Sequence, residues 1–204
     1  LAEPGAVAFV AQAGTAGDCG VFTLGPDGAW TYSADNGQAA IQALGAGAAL
    51  TERFAVATAE GAEGVVTVTI TGVNDRAAIA GTATGAVTED AGATLGATGR
   101  LDVTDVDAGE AAVVPQPGTA GAYGTFTLDA SGHWTYAADN GQAAIQALGV
   151  GETLTDSFTA VSADGSTQVV SITITGANDA PSIGGTTSGA VSEDGTLADP
   201  AALP

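Results

Sequence analysis

Ten consecutive residues, Asp-Asn-Gly-Gln-Ala-Ala-Ile-Gln-Ala-Leu, occur twice unchanged, at 35–44 and at 139–148. The same displacement of 104 positions carries Gly20-Val-Phe-Thr-Leu onto Gly124-Thr-Phe-Thr-Leu, and Trp30-Thr-Tyr32 onto Trp134-Thr-Tyr136. It also carries Thr69-Ile-Thr-Gly onto Thr173-Ile-Thr-Gly, Asn74-Asp75 onto Asn178-Asp179, and Glu89-Asp90 onto Glu193-Asp194. No gap is needed between Gly5 and Asp90. Solenoid repeats are usually 20–50 residues long. A period twice the upper end of that range makes each unit a domain with its own core, strung to its neighbours. The phase divides the chain into a first unit at 1–78 that lacks its opening segment, a complete unit at 79–182, and the opening of a third at 183–204. After Asp194 the sequence drifts, and this tail is expected to lack fixed structure. No signal-peptide pattern follows Leu1, so the chain is expected to be a piece of a longer one.

Within a unit the apolar period is two. In Val65-Val-Thr-Val-Thr-Ile-Thr71 the residues Val66, Val68 and Ile70 fall on one face and Thr67, Thr69 and Thr71 on the other, which predicts a half-buried strand. Val170, Ile172 and Ile174 repeat it. The runs 125–128 and 133–136 flank Asp129-Ala-Ser-Gly132, a short turn that predicts a hairpin. Asp164-Gly165 marks a second turn, and 142–148 predicts one short helical turn. Closely spaced short strands separated by turn residues predict an all-β fold of tandem sandwich domains. Phe126, Trp134 and Tyr136 are assigned to the core, and Cys19, aligned with Tyr123, to a semi-buried strand position.

Charge excludes whole classes of partner. Asp and Glu number 23 against 3 Arg and no Lys, a formal net charge of -20. Nucleic acids and anionic membrane surfaces require basic patches that this composition does not supply. No apolar run approaches the ~18 residues of a membrane span. One cysteine permits no internal disulfide. The single histidine, His133, aligns with Ala29, and a catalytic residue present in one copy of a repeat is a poor candidate, so no enzymatic role is expected.

The acidic residues gather near the unit boundary: Asn74, Asp75, Glu89, Asp90, and then Asp105, Asp107 and Glu110 within Leu101-Asp-Val-Thr-Asp-Val-Asp-Ala-Gly-Glu110. Carboxylates at alternating positions closed by a glycine direct several oxygens toward one point, and Ca²⁺ takes 6–8 such ligands. Two carboxylates ~4 Å apart repel by about 1 kcal/mol in water and ~4 kcal/mol near a protein surface, so gathering them favours a cation. Solvated turn residues are the competing reading, since Asp and Gly dominate turns. The segment is not an EF-hand, because Gln116 stands where the closing Glu belongs.

Tyr123-Gly-Thr-Phe-Thr-Leu-Asp129, Trp134-Thr-Tyr136, the run 146–156, Ile174-Thr-Gly-Ala-Asn-Asp-Ala-Pro181 and Asp105-Val-Asp-Ala-Gly-Glu110 together resemble the VCBS repeat family, Ig-like or cadherin-like domains of very large bacterial surface proteins. The resemblance covers nearly the whole chain. It implies tandem Ig-like/cadherin-like sandwiches, export without an N-terminal signal, often by type I secretion as in RTX adhesins, and an extracellular or cell-surface place in adhesion or biofilm. It also implies Ca²⁺ at the junctions, with Asn74, Asp75, Glu89, Asp90, Asp105, Asp107 and Glu110 as ligands that need not share one site. The expected role is a structural spacer whose partners are neighbouring repeats of the same chain. The rivals are a binding module for surface glycans or other adhesin molecules, and an accessory domain of a secreted enzyme. Arg76-Ala77 replaces the Ala180-Pro181 of the later copy, which places Arg76 where it can pair with a junction carboxylate.

Overall fold

The computed structural model describes residues 7–189 and Glu193. The expectation for the tail beyond Asp194 lies outside the described residues. The first repeat contributes β1 (Gln12–Ala16), β2 (Gly20–Leu24), β3 (Trp30–Ala34), α1 (Ala39–Gln42), β4 (Ala49–Ala57) and β5 (Glu63–Thr71). The second contributes β6 (Ala78–Gly81), β7 (Thr84–Thr88), β8 (Thr94–Thr104), β9 (Gln116–Ala120), β10 (Gly124–Leu128), β11 (His133–Asp139), α2 (Ala143–Gln146), β12 (Thr153–Val161) and β13 (Thr167–Thr175).

The second repeat is a sandwich of a five-stranded sheet, in the order β6-β8-β11-β10-β9, and a three-stranded sheet, β12-β13-β7. All its pairings are antiparallel except β7 against β13, which is parallel over Ser171↔Thr84 to Thr175↔Thr88. Period-two patterning places the core. Trp134, Tyr136 and Ala138 point inward from β11, Phe158 and Ala160 from β12, and Val170, Ile172 and Ile174 from β13. The rings of Phe126 and Phe158 stack across the two layers with centroids 4.7 Å apart. Trp134 is the largest fully buried side chain, and its indole N–H donates to the Thr82 carbonyl at 2.7 Å. Two glycines make room for it. A Cβ at Gly99 would stand 2.5 Å from the indole ring, and one at Gly85 would stand 3.1 Å from it and 2.8 Å from Ile172.

The ten-residue segment that repeats unchanged has a local explanation. Asp139 Oδ1 accepts the Gly141 N–H at 2.9 Å, and Gln142 Nε2 donates to the Tyr123 carbonyl at 2.6 Å. Asp35 with Gly37 and Gln38 with Cys19 make the same bonds at 2.9 and 2.6 Å. The segment ties the helical turn to the preceding hairpin and starts β4 or β12 in a fixed place. The hairpin turn is held likewise, by Asp129 Oδ1 accepting from Ser131 N at 2.8 Å and His133 N at 3.0 Å. Cys19 is half-buried as expected, but in the bend between β1 and β2 and not in a strand.

The first repeat carries the same strands with fewer neighbours. Its sheets are β1-β2-β3 and β4-β5, so among the described residues β3 and β5 each leave one edge unpaired. The core shrinks accordingly. Trp30 is 48% exposed where Trp134 is 0% exposed, and Val66, Val68 and Ile70 are only half-buried. Trp134 is in the core as expected, whereas Trp30, its counterpart by the repeat, is half-exposed because among the described residues no strand pairs with the outer edge of β3. Full burial of one large apolar side chain contributes about 1.5–3 kcal/mol, so several half-buried positions separate the two units widely in stability. Differential scanning calorimetry is expected to resolve two transitions, the first repeat melting before the second. A single transition with equal calorimetric and van't Hoff enthalpies would contradict this.

Candidate functional site

The predicted ligands divide between the two ends of the second repeat. Asn74, Asp75, Asp105, Asp107 and Glu110 meet where the repeats join. The linker after β5 runs past the segment that follows β8, and the Asp75 N–H donates to Asp107 Oδ2 at 2.8 Å. Asp107 N–H donates to Asp105 Oδ1 at 2.9 Å, which curls the acidic segment into a turn. That turn touches the first repeat: the Ala108 N–H donates to the Ala43 carbonyl at 3.1 Å. Glu110 lies so close over Gly45 that a Cβ there would be 2.6 Å from its Oε1. Asn74 donates its side-chain amide to the Asp75 carbonyl.

Asp164 completes this group and was missed in the sequence, where it counted only as a turn residue. Its Oδ2 accepts the Ala77 N–H of the linker at 3.0 Å. Ser162 and Ser166 donate hydroxyl protons to it, and with the Ala77 N–H these hold its carboxyl well below the usual carboxylate range. A signal was present: the aligned residue is Glu60, also an acid just before a glycine. Glu110 is displaced the other way, its carboxyl raised by desolvation and by the charges of Asp107, Asp105 and Asp164. Arg76 relieves none of this, contrary to expectation, because the one ion pair among the described residues joins Arg100 to Asp102 at 2.9 Å.

Glu89 and Asp90 stand at the opposite end, where β13 leaves the repeat. Glu89 is buried and its Oε1 accepts the Ala177 N–H at 2.6 Å. Asp90 adopts φ of 61°, in the left-handed region, and is fixed there by a reciprocal pair with Asn140: its N–H donates to Asn140 Oδ1 at 3.1 Å, and Asn140 Nδ2 donates to its Oδ1 at 3.0 Å. Gln146 donates to the same oxygen at 3.2 Å, and the Asn140 and Gln146 amides lower the Asp90 carboxyl. In the sequence Glu89 lies only sixteen positions before Asp105. The fold separates them because β8 runs the length of the sandwich between them.

Four of these carboxylates keep a buried oxygen with no hydrogen-bond donor: Glu89 Oε2, Asp105 Oδ2, Asp107 Oδ1 and Glu110 Oε2. A buried carboxylate oxygen without a partner is costly, and three of the four sit in the joint. A hard cation with oxygen ligands fits this donor set. Among the described residues no three or more His, Cys, Asp or Glu side chains are arranged to hold a metal ion by themselves.

A further buried acid belongs to the core. Asp156 accepts N–H groups from Ala122, Tyr123, Gly124 and Ser157 at 3.0–3.1 Å and the Tyr136 hydroxyl at 3.2 Å. Burial alone would raise its carboxyl, but these donors outweigh burial and lower it. In the first repeat Glu52 takes the position with a single backbone donor, Cys19 N, and both its Oε2 and the Tyr32 hydroxyl lack a partner. Desolvation, with Glu52 alongside, pushes the Tyr32 phenol up to about 12. Alternation could have found this residue, since Asp156 shares the inward phase of Leu154 and Phe158.

Sandwiches joined end to end through an acidic linker define a cadherin-like repeat chain. The chain belongs to the bacterial cadherin-like domain family, whose model matches residues 74–176. It is similar in structure to mouse clustered PcdhgC3 EC1-3, with 10% identity and a TM-score of 0.42 over 84% of this chain and 54% of that one. The Protocadherin GammaB4 extracellular domain gives 16% identity and a TM-score of 0.42 over 83% and 26%. A Ca²⁺-stabilized adhesin that helps an Antarctic bacterium reach out and bind ice gives 18% and 0.27 over 78% and 38%. The chain therefore spans about half or less of the length of these proteins. No curated protein matches it in sequence.

Proposed function

We propose that these repeats are structural spacers of a large bacterial surface or secreted adhesin, of the VCBS type, stiffened by Ca²⁺ at the joints between repeats. They act outside the cell, carry no catalysis, and hold a distal binding region away from the surface in adhesion or biofilm formation. The observation that supports this most is the joint itself. Asp107 and Glu110 of one repeat lean on Asp75 and Gly45 of the other, Asp105 accepts the Asp107 N–H, and each of the three keeps an oxygen without a donor. A cation there binds carboxylates of one repeat and linker oxygens of its neighbour, so occupancy couples their orientations. The family membership and a net charge of -20 point the same way, since an acidic chain straightens by self-repulsion and collects divalent ions.

Thermal melts in Ca²⁺ and in chelator test this, paired with small-angle scattering for length. Free Ca²⁺ at 100 times its dissociation constant stabilises the folded state by about 2.7 kcal/mol. For a chain of this size that raises the midpoint by roughly 5–10 °C. The Asp107→Asn variant is expected to lose most of the shift, and the maximum dimension is expected to grow with Ca²⁺ in the wild type only. Coincident melts with and without Ca²⁺ would end the calcium reading.

A further inference from the structure

We propose that Asn140 is a site of spontaneous deamidation whose rate is set by its clasp on Asp90, so that it acts as a one-way ageing switch at the end of the second repeat where β13 leaves. Asparagine followed by glycine is the pair in which this reaction runs most readily, because no side chain hinders the attacking nitrogen. Asn140-Gly141 is such a pair. It lies in the turn closed by the Gln142 N–H on the Asp139 carbonyl, with Asn140 half-buried and Gly141 exposed to water. The chemistry needs only water. The Gly141 backbone nitrogen gives up its proton and attacks Asn140 Cγ. The new N–Cγ bond forms as the Cγ–Nδ2 bond breaks, and Nδ2 leaves with the proton as ammonia. Water then adds to either carbonyl of the cyclic imide and opens it, to aspartate or to isoaspartate. Nothing is oxidised or reduced.

The fold holds each group that this reaction must move. The Gly141 N–H, which has to be lost, donates to Asp139 Oδ1 at 2.9 Å. Both ends of the Asn140 amide are engaged by Asp90: Oδ1 accepts the Asp90 N–H at 3.1 Å, and Nδ2 donates to Asp90 Oδ1 at 3.0 Å. The Asn140 N–H donates to the Ala93 carbonyl at 3.1 Å, which fixes the backbone under it. Cγ therefore meets the Gly141 nitrogen only when the clasp opens. Asp90 is set for the clasp by its φ of 61°, a conformation that a residue with a side chain keeps only where its surroundings hold it. Gln146, from the end of α2, braces the same carboxylate oxygen at 3.2 Å.

Once the amide is lost the clasp cannot re-form. The product has no Nδ2 to donate to Asp90 Oδ1 and sets a second carboxylate against it, and like charges at that distance repel. Isoaspartate also lengthens the main chain inside the turn that leads into α2. Either product releases Asp90 from its left-handed place. Its neighbour Glu89 holds the Ala177 N–H of the segment leaving β13, so the change reaches the exit of the repeat. The core around Trp134 makes none of these bonds and is left intact.

Mass spectrometry of the full chain aged in mildly alkaline buffer tests this, in an Asn36→Gln background because the identical residues 35–44 carry their own Asn-Gly. Chelator is present throughout, so the outcome does not depend on Ca²⁺. Asn140 is expected to convert at least about tenfold more slowly in the folded chain than in urea, since a hydrogen bond to a charged group shifts an equilibrium by roughly that factor or more. Asp90→Gly keeps the left-handed backbone and removes the carboxylate. It is expected to speed conversion in the folded chain by about tenfold with circular dichroism unchanged, and Gly141→Ala added to it is expected to abolish the gain. Asn140→Asp, the product itself, is expected to raise amide hydrogen exchange at Ala177 and not at Trp134. Equal rates in the folded and unfolded chain would overturn the proposal. So would an Asp90→Gly rate equal to that of the parent, a gain that survives Gly141→Ala, or unchanged exchange at Ala177.

Discussion

Replacing Trp134 by alanine is expected to remove about 3–5 kcal/mol of stability, enough to lower the melting of the second repeat by more than ~12 °C. The loss has three sources: the largest buried side chain of the core, the cavity between Gly85, Gly99 and Ile172, and the Thr82 carbonyl left without its indole donor. Trp30→Ala, the same substitution in the aligned position, is expected to cost no more than about 1.5 kcal/mol, because Trp30 is 48% exposed and rests mainly on Phe22 at 5.9 Å. Urea unfolding followed by circular dichroism, at concentrations where the wild type is monomeric, separates them. Equal losses at the two positions would show that the first repeat is covered in solution by something other than its own strands.

The second large effect belongs to Asp156. Its carboxylate gathers four backbone N–H groups and the Tyr136 hydroxyl, and alanine there strands several buried donors at once. Each unsatisfied donor costs about 1–3 kcal/mol, so Asp156→Ala is expected to lose 3 kcal/mol or more, with Asn recovering part. Glu52→Ala is expected to cost far less, since Glu52 meets one backbone donor and leaves Oε2 unpaired. The pH dependence has a definite sign. The folded state lowers the Asp156 carboxyl, so its contribution is complete above the unfolded value of about 3.9 and is lost as pH falls through the lower folded value. Acid unfolding of the second repeat below pH ~4 is expected to flatten in Asp156→Asn. An unchanged acid limb would place the titrating group elsewhere.

Much of this architecture can be read before any coordinate. The displacement of 104 sets the interval at which the strands recur, as β2 at Gly20–Leu24 and β10 at Gly124–Leu128 do. Period two in 65–71 and 167–175 sets the inward residues, and Asp-Ala-Ser-Gly sets the hairpin. What cannot be read is which distant strand lies beside which. The parallel pairing of β7 with β13 joins residues nearly 90 positions apart, and no local pattern encodes it. The same gap hid the split of the acidic residues. Glu89 and Asp105 are sixteen positions apart, yet β8 carries the chain from one end of the sandwich to the other. Asp164 joins the opposite group from the far end of the sequence. Trp30 makes the complementary point: a side chain's burial depends on which strands are beside it as well as on its own strand's phase.

The β7–β13 pair also determines how a repeat answers a pull. Tension along the chain draws the start of β7 and the end of β13 in opposite directions. Because the two strands run the same way, that tension slides them past each other. Hydrogen bonds lying across the direction of load must then give way together instead of opening one by one from an end. A repeat closed in this way is a shear clamp. Stretched as a single molecule, the second repeat is expected to yield in one step at high force, and a proline placed in β7 is expected to lower that force.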